Sequence, residues 1–103
     1  MKEITTLKLK KIIETNPNTY IIDVRDRIHY DAGHIKNSIN VPLYELEDFS
    51  TELPRDKDIY VICKVGNKSS NAVLMLNELG FENCINVRGG MLSYDGITEK
   101  TVR

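Results

Sequence analysis

Residues 59 to 80 constrain the fold of this chain more than any other stretch. Ile59-Tyr60-Val61-Ile62-Cys63 is a short apolar run of β-branched and aromatic type. Lys64 to Ser70 is polar and holds Gly66 with two lysines, and Asn71 to Leu79 carries its apolar residues on one face before closing on Gly80. This order predicts a strand, a tight loop and a helix, the unit from which parallel α/β sheets are built. Cys63 stands where the strand hands over to the loop.

That position has chemical consequences. The six consecutive backbone N–H groups from Lys64 to Ser69, curling in front of a helix N-terminus, would form a concave electropositive nest for an anion. The anion can be the thiolate of Cys63 itself. A free thiol with a pKa near ~8.5 is only a few per cent ionised at neutral pH, and a helix N-terminus with nearby lysines commonly lowers that pKa by ~1 to 2 units. Lys64 and Lys68 bracket the loop with charge of the right sign. The plainer alternative is that Cys63 is the last buried residue of a core strand, since free Cys is among the most buried residue types. The glycine, the lysines and the helix that follows favour the nucleophile.

Cys63-Lys64-Val65-Gly66-Asn67-Lys68-Ser69 resembles the active-site loop of the rhodanese family of sulfurtransferases, Cys-Arg-x-Gly-x-Arg-Ser, with Lys in both Arg positions. Further stretches follow the order of that family: Ile22-Asp23-Val24-Arg25, Gly33-His34-Ile35, Asn40-Val41-Pro42, Gly80-Phe81-Glu82-Asn83 and Val87-Arg88-Gly89-Gly90. With the segment Met91 to Gly96 that follows, the resemblance spans residues 22 to 96, about three quarters of the chain. The resemblance implies a three-layer rhodanese-like fold, and a Cys63 persulfide formed from thiosulfate or a similar donor and passed to a thiol or cyanide. It also implies a substrate site of Lys64, Val65, Gly66, Asn67, Lys68, Ser69 and His29, with Asp23, Arg25 and His34 supporting the loop. An alternative with the same loop chemistry is a persulfide carrier that takes sulfur from one protein and gives it to another.

Three further positions depart from the family pattern. His29 stands where two-domain thiosulfate users have an anion-contacting Arg and many single-domain members have Glu. Val65 stands where efficient thiosulfate users often have a cation, and Tyr94 lies near a usual Trp. A phosphatase, the other Cys-dependent chemistry of such folds, needs Arg six places after the Cys to grip phosphoryl oxygens with a planar fork. Here that place is Ser69, and the loop is one residue shorter than that class uses.

With 103 residues the chain is expected to form one domain, residues 1–103. Lys and Arg number 14 against 15 Asp and Glu, so the net charge of −1 offers no general attraction for nucleic acid or anionic membrane. No apolar run suits an export signal or a membrane span, which predicts a soluble cytoplasmic protein. Cys63 and Cys84 fit neither a structural disulfide nor a zinc site, and no metal or organic cofactor is implied. Cys84 reads as a core residue, with a resolving thiol for an oxidised Cys63 as the alternative.

In chain order, Ile4 opens a short strand, and Thr6 caps a helix over Leu7 to Glu14 whose Lys8, Lys10 and Lys11 form a solvated face. Tyr20 to Val24 is a strand whose C-terminal end sets Asp23 and Arg25 at the same sheet edge as Cys63. Asp26 to Gly33 is a turn and a short helix closed by the glycine. Ser38 to Pro42 is an edge strand, and Leu43 to Phe49 an amphipathic helix. Ser69 or Ser70 caps the central helix, which packs through Ala72, Val73, Met75, Leu76 and Leu79. Phe81 to Val87 is the last strand, Arg88-Gly89-Gly90 a turn at positive φ, and Thr98 to Arg103 a frayed polar tail. Strands alternating with helices imply a parallel sheet of four or five strands with helices on both faces.

Overall fold

The structure is a computed structural model describing residues 1 to 103. It runs β1 (Lys2–Thr5), α1 (Thr6–Thr15), β2 (Tyr20–Asp23), α2 (Arg27–Ala32), β3 (His34–Ile35), β4 (Ile39–Asn40), α3 (Leu46–Phe49), β5 (Ile59–Ile62), α4 (Asn67–Glu78), β6 (Cys84–Arg88), α5 (Gly90–Ser93) and β7 (Thr98–Glu99). Five strands form one parallel sheet in the order β1-β6-β5-β2-β4. β5 is central because it is buried at every residue.

Alternation along β5 divides the core. Ile59, Val61 and Cys63 join a cluster with Leu46 of α3 and with Ala72, Val73 and Leu76 of α4. Tyr60 and Ile62 join a second cluster with Leu9 of α1, against which Met91 of α5 packs. A strand with period two that is apolar on both faces must be covered on both, and here helices lie on each side. α4 ends as a helix should before glycine: Gly80 takes φ +94°, its N–H donates to the Asn77 carbonyl, and that of Phe81 donates to the Leu76 carbonyl. The chain leaves β2 toward β4 but leaves β5 toward β6. The crevice between the C-terminal ends of β2 and β5 is therefore the switch point where α/β sheets hold ligands.

Several local expectations are corrected. Thr5, not Thr6, caps α1, with its hydroxyl accepting from the Lys8 N–H at 3.2 Å. The expected helix over Leu43 to Phe49 is instead a 3-10 turn, one α turn and, from Ser50, a second 3-10 turn, because only Leu46 of this segment is apolar and fully buried. β6 begins at Cys84 rather than Phe81, whose ring turns into the core beneath the Arg55 guanidinium. Leu79 is the exposed C-cap of α4 rather than part of its packing face. Gly33 closes α2 at φ 166°, in extended backbone and not in the left-handed region.

The largest correction is at the C-terminus. Thr98–Glu99 pairs antiparallel with His34–Ile35, the Thr101 N–H donates to the Asp31 carbonyl, and Arg103 grips the Asp31 carboxylate at 2.6 and 3.1 Å. The tail is a second small sheet with an ion-paired end. No helix is long and apolar enough to cross a membrane.

Candidate active site

Cys63 follows the last residue of β5 and is 2% exposed. Its S–H donates to Ser69 Oγ at 3.2 Å, and Sγ accepts from the N–H groups of Gly66 at 3.1 Å and Ser69 at 3.3 Å. Burial pushes the thiol pKa up. The N–H groups of Ser69, Gly66 and Val65, with a Ser69 hydroxyl that donates once it is turned to the thiolate, outweigh burial and hold Cys63 below the ordinary thiol range. Of the six N–H groups expected around the sulfur, Val65, Gly66 and Ser69 supply the contacts. Those of Asn67 and Lys68, the first two positions of α4, have no partner within the helix and remain donors for whatever binds beyond Sγ.

The loop takes this shape because both its sides are fixed. Gly66, at φ +107°, is the N-cap of α4, so neither Ser69 nor Ser70 caps the helix. Ser69 lies in the first turn, fully buried, with its hydroxyl beside the sulfur. On the other side, the Cys63 and Lys64 carbonyls accept from the N–H groups of Met91 (2.8 Å) and Leu92 (2.9 Å) in α5. A trans peptide points its N–H opposite its C=O, so tying the Lys64 carbonyl to α5 turns the Val65 N–H inward. Gly90, at φ +59°, permits this approach: a Cβ there would lie 2.5 Å from the Cys63 and Lys64 carbonyl oxygens.

A pocket of about 740 Å³ opens above Cys63. Lys64, Val65, Asn67 and Lys68 line one side, and Arg25, Asp26, His29 and Ala32 the other. Met91, Leu92, Tyr94 and Thr98 complete the wall. His29 is exposed there, and Lys64 and Lys68 are exposed beside the sulfur. No three His, Cys, Asp or Glu side chains come together as a metal site would need.

Asp23 and Arg25 form a buried pair, with Nη2 to Oδ2 at 2.8 Å and Nε to Oδ1 at 3.0 Å. Arg25 also donates to the Gly33 carbonyl at 2.7 Å, and Asn40 Nδ2 donates to the Asp23 and Arg25 carbonyls. These contacts brace the wall of the pocket facing the Cys63 loop rather than the loop itself. His34 is buried away from the pocket, stacked on Tyr30 at 3.8 Å with Nδ1 2.8 Å from the Tyr30 carbonyl. Its Nε2 lies 3.6 Å from Glu99 of β7.

Cys84 sits opposite Ile59, at the other end of β5 from Cys63. At ~3.3 Å per residue the two thiols are roughly 13 Å apart along the sheet, far beyond disulfide reach. Burial raises the Cys84 pKa to about 11, so the resolving-thiol alternative fails on distance and on ionisation together.

The sequence reading missed Asn86. It is 2% exposed, accepts from the Ser69 hydroxyl at 2.6 Å, and donates through Nδ2 to Glu3 Oε2 at 3.0 Å and the Gly66 carbonyl at 3.4 Å. A polar residue inside the apolar run Cys84-Ile85-Asn86-Val87 was the available signal. Its role depends on sheet register, which no local pattern carries.

Residues 5–96 match the family model of the rhodanese-like domain. The chain is similar to the adenylyltransferase and sulfurtransferase uba4 of Ogataea parapolymorpha, at 43% identity over 73% of this chain and 20% of that protein. It is 34% identical to YtwF of Bacillus subtilis, named as a sulfurtransferase, over 96% of this chain and 95% of that one. It is also 34% identical to YrkF of Bacillus subtilis, named as a sulfur carrier protein, over 94% of this chain and 52% of that one. The chain thus spans about a fifth of uba4 and half of YrkF. A rhodanese-related protein of Thermoplasma volcanium has the same fold, with TM-score 0.85 and 35% identity over 95% of this chain and 97% of that one.

Proposed function

The chain belongs to the rhodanese-like domain family of sulfurtransferases, and on that premise we propose that it moves a sulfane sulfur through a persulfide on Cys63. The observation that carries this reading is a buried Sγ held by main-chain N–H groups at the floor of an open pocket with lysines at its mouth. In the proposed cycle the Cys63 thiolate attacks the outer sulfur of thiosulfate or a similar donor. The S–S bond of the donor breaks, sulfite leaves with the electron pair, and the outer sulfur remains on Cys63 as a persulfide. An acceptor thiolate or cyanide then attacks that sulfur, and Cys63 leaves as thiolate.

Each part of the loop has a task in this cycle. The Val65, Gly66 and Ser69 N–H groups stabilise the attacking thiolate, and those of Asn67 and Lys68 receive the charge on the outer sulfur. Lys64 and Lys68 raise the local concentration of an anionic donor, Arg25 offers its remaining N–H groups with its charge offset by Asp23, and His29 lines the same wall. Asp23 and His34 act at a distance, by holding Arg25 and the α2–β3 segment. One domain over residues 1–103 suffices for the chemistry.

A second reading, a carrier relaying sulfur between proteins, is favoured by Val65, which leaves the loop without a cation two places after the cysteine. The similarity to a protein named as a sulfur carrier points the same way. Intact mass after incubation with thiosulfate, followed by cyanide, tests the first reading. The expected result is gain of one sulfur atom, lost to cyanide and absent in Cys63→Ser. No gain on a folded protein overturns thiosulfate as donor; sulfur uptake from a persulfidated protein alone would then establish the carrier.

A further inference from the structure

The Ser69 hydroxyl has a single proton and two claimants. Its oxygen lies 3.2 Å from Cys63 Sγ and 2.6 Å from Asn86 Oδ1. The orientation of the Asn86 amide is fixed from its far side, because Nδ2 meets two acceptors, the Glu3 carboxylate and the Gly66 carbonyl. A flipped amide would set its oxygen against both. Glu3 and Asn86 are also register partners in the β1–β6 pair, so their side chains share the face that carries α4. Oδ1 therefore faces Ser69, and a 2.6 Å oxygen–oxygen contact needs a proton between the two. Only the serine can supply it.

We propose that Asn86 is a positioning residue that sets the reactivity of Cys63 by holding the Ser69 proton away from the sulfur. With that proton on Asn86, Ser69 turns a lone pair toward Sγ and accepts from the S–H, an arrangement that suits the neutral sulfur. When the thiol proton leaves to solvent, the thiolate gains the Ser69 hydroxyl as a donor only if the bond to Asn86 breaks. A persulfide moves the charge to the outer sulfur and leaves Sγ uncharged, so the hydroxyl returns to Asn86. The hydroxyl thus has two positions, one for each charge state of Sγ, and Asn86 weights the neutral one. The inference rests on Cys63 being the reactive group of the proposed sulfur chemistry, and its test uses no sulfur compound.

The other charged groups near the sulfur are Lys64 and Lys68 on its own loop, Arg25, Asp26 and His29 across the pocket, and Glu3 behind Asn86. Substituting Asn86 removes none of these charges and releases only the Glu3 carboxylate from Nδ2, a change that the Ser69→Ala background shares.

The experiment is the rate of iodoacetamide alkylation of Cys63 as a function of pH, with melting curves to establish folding and intact mass to establish a single adduct. Asn86→Leu and Asn86→Ala each release the hydroxyl to the thiolate. At a pH below the thiol pKa the reactive fraction is expected to rise roughly three- to tenfold, the worth of one freed hydrogen bond. In a Ser69→Ala background the same substitutions should change it by less than about twofold, because the proton they release is gone. No rise, a fall, or a rise that persists without the hydroxyl overturns the proposal. Ser69→Ala alone gives an independent reading. Loss of a donor already committed to the thiolate would cut the reactive fraction tenfold or more and refute the proposal, whereas loss of one committed to Asn86 changes it about threefold or less. Absence of persulfide in the thiosulfate test would leave each of these outcomes readable.

Discussion

At the scale of single residues, burial decides what each charge or thiol can do. Asp23 is fully buried, and its carboxylate is neutralised by Arg25. Arg25→Ala leaves that charge with one backbone N–H and no counter-ion, and such truncations cost about 3 to 5 kcal/mol. Thermal unfolding is expected to show a Tm lower by roughly 10 °C or more; a drop of only a degree or two would mean that water replaces the guanidinium. Cys84 gives a pH-dependent counterpart. Its thiol is held neutral up to about 11 in the folded state, against 9.0 ordinarily. The unfolded chain loses this proton first, so stability is intact below pH ~9, falls as pH rises toward 11, and loses roughly 2 to 3 kcal/mol in all. Cys84→Ala cannot ionise. It starts less stable at pH 8 because of the cavity it leaves, and the gap in Tm to the parent should close between pH 9 and 11. A constant gap would show that the thiol does not titrate in that window.

At the scale of elements, the site is a junction of two helix starts on one strand end. α4 offers N–H groups to the sulfur while α5 clamps the carbonyls of the same two residues. Gly90→Ala tests the clamp. The added methyl would overlap the Cys63 and Lys64 carbonyls, and its left-handed backbone adds about 1 to 2 kcal/mol. The expected outcome is a lower Tm and at least a tenfold slower alkylation of Cys63. Gly33→Ala is the matched control, since a Cβ there meets nothing within 4 Å and the backbone is extended. Near-parent values for Gly90→Ala would mean that α5 shifts without disturbing the loop.

At the scale of the whole molecule, a net charge of −1 coexists with a mouth carrying Lys64 and Lys68. Attraction of an anionic donor is then local and open to screening. Raising ionic strength from about 0.01 to 0.15 M shortens the Debye length from roughly 30 to 8 Å. Sulfur transfer from a dianionic donor should slow several-fold over that range, while transfer from a neutral donor stays level. Equal slowing of both would place the effect on the fold instead. The parts of this molecule that sequence made legible are those written contiguously. Ile59 to Gly80 shows its strand, loop and helix in a single stretch, and the apolar strand at Tyr20 is as plain. Thr98–Glu99 lacks any apolar alternation and becomes a strand only because His34–Ile35 lies beside it. Asn86 and Glu3 are 83 residues apart, and only the pairing of β1 with β6 makes them neighbours behind the sulfur.

The open pocket above Cys63 and the distance to Cys84 together have a kinetic meaning. A sulfur placed on Cys63, as proposed, would find no second thiol near enough within the chain to carry it onward, and would wait. Whatever delivered it would then have to vacate the doorway before the recipient could come in, if both reach Cys63 through the pocket that opens above it. Under the proposed chemistry, turnover would be a relay in two strokes, with the spent donor and the incoming acceptor competing for the same threshold.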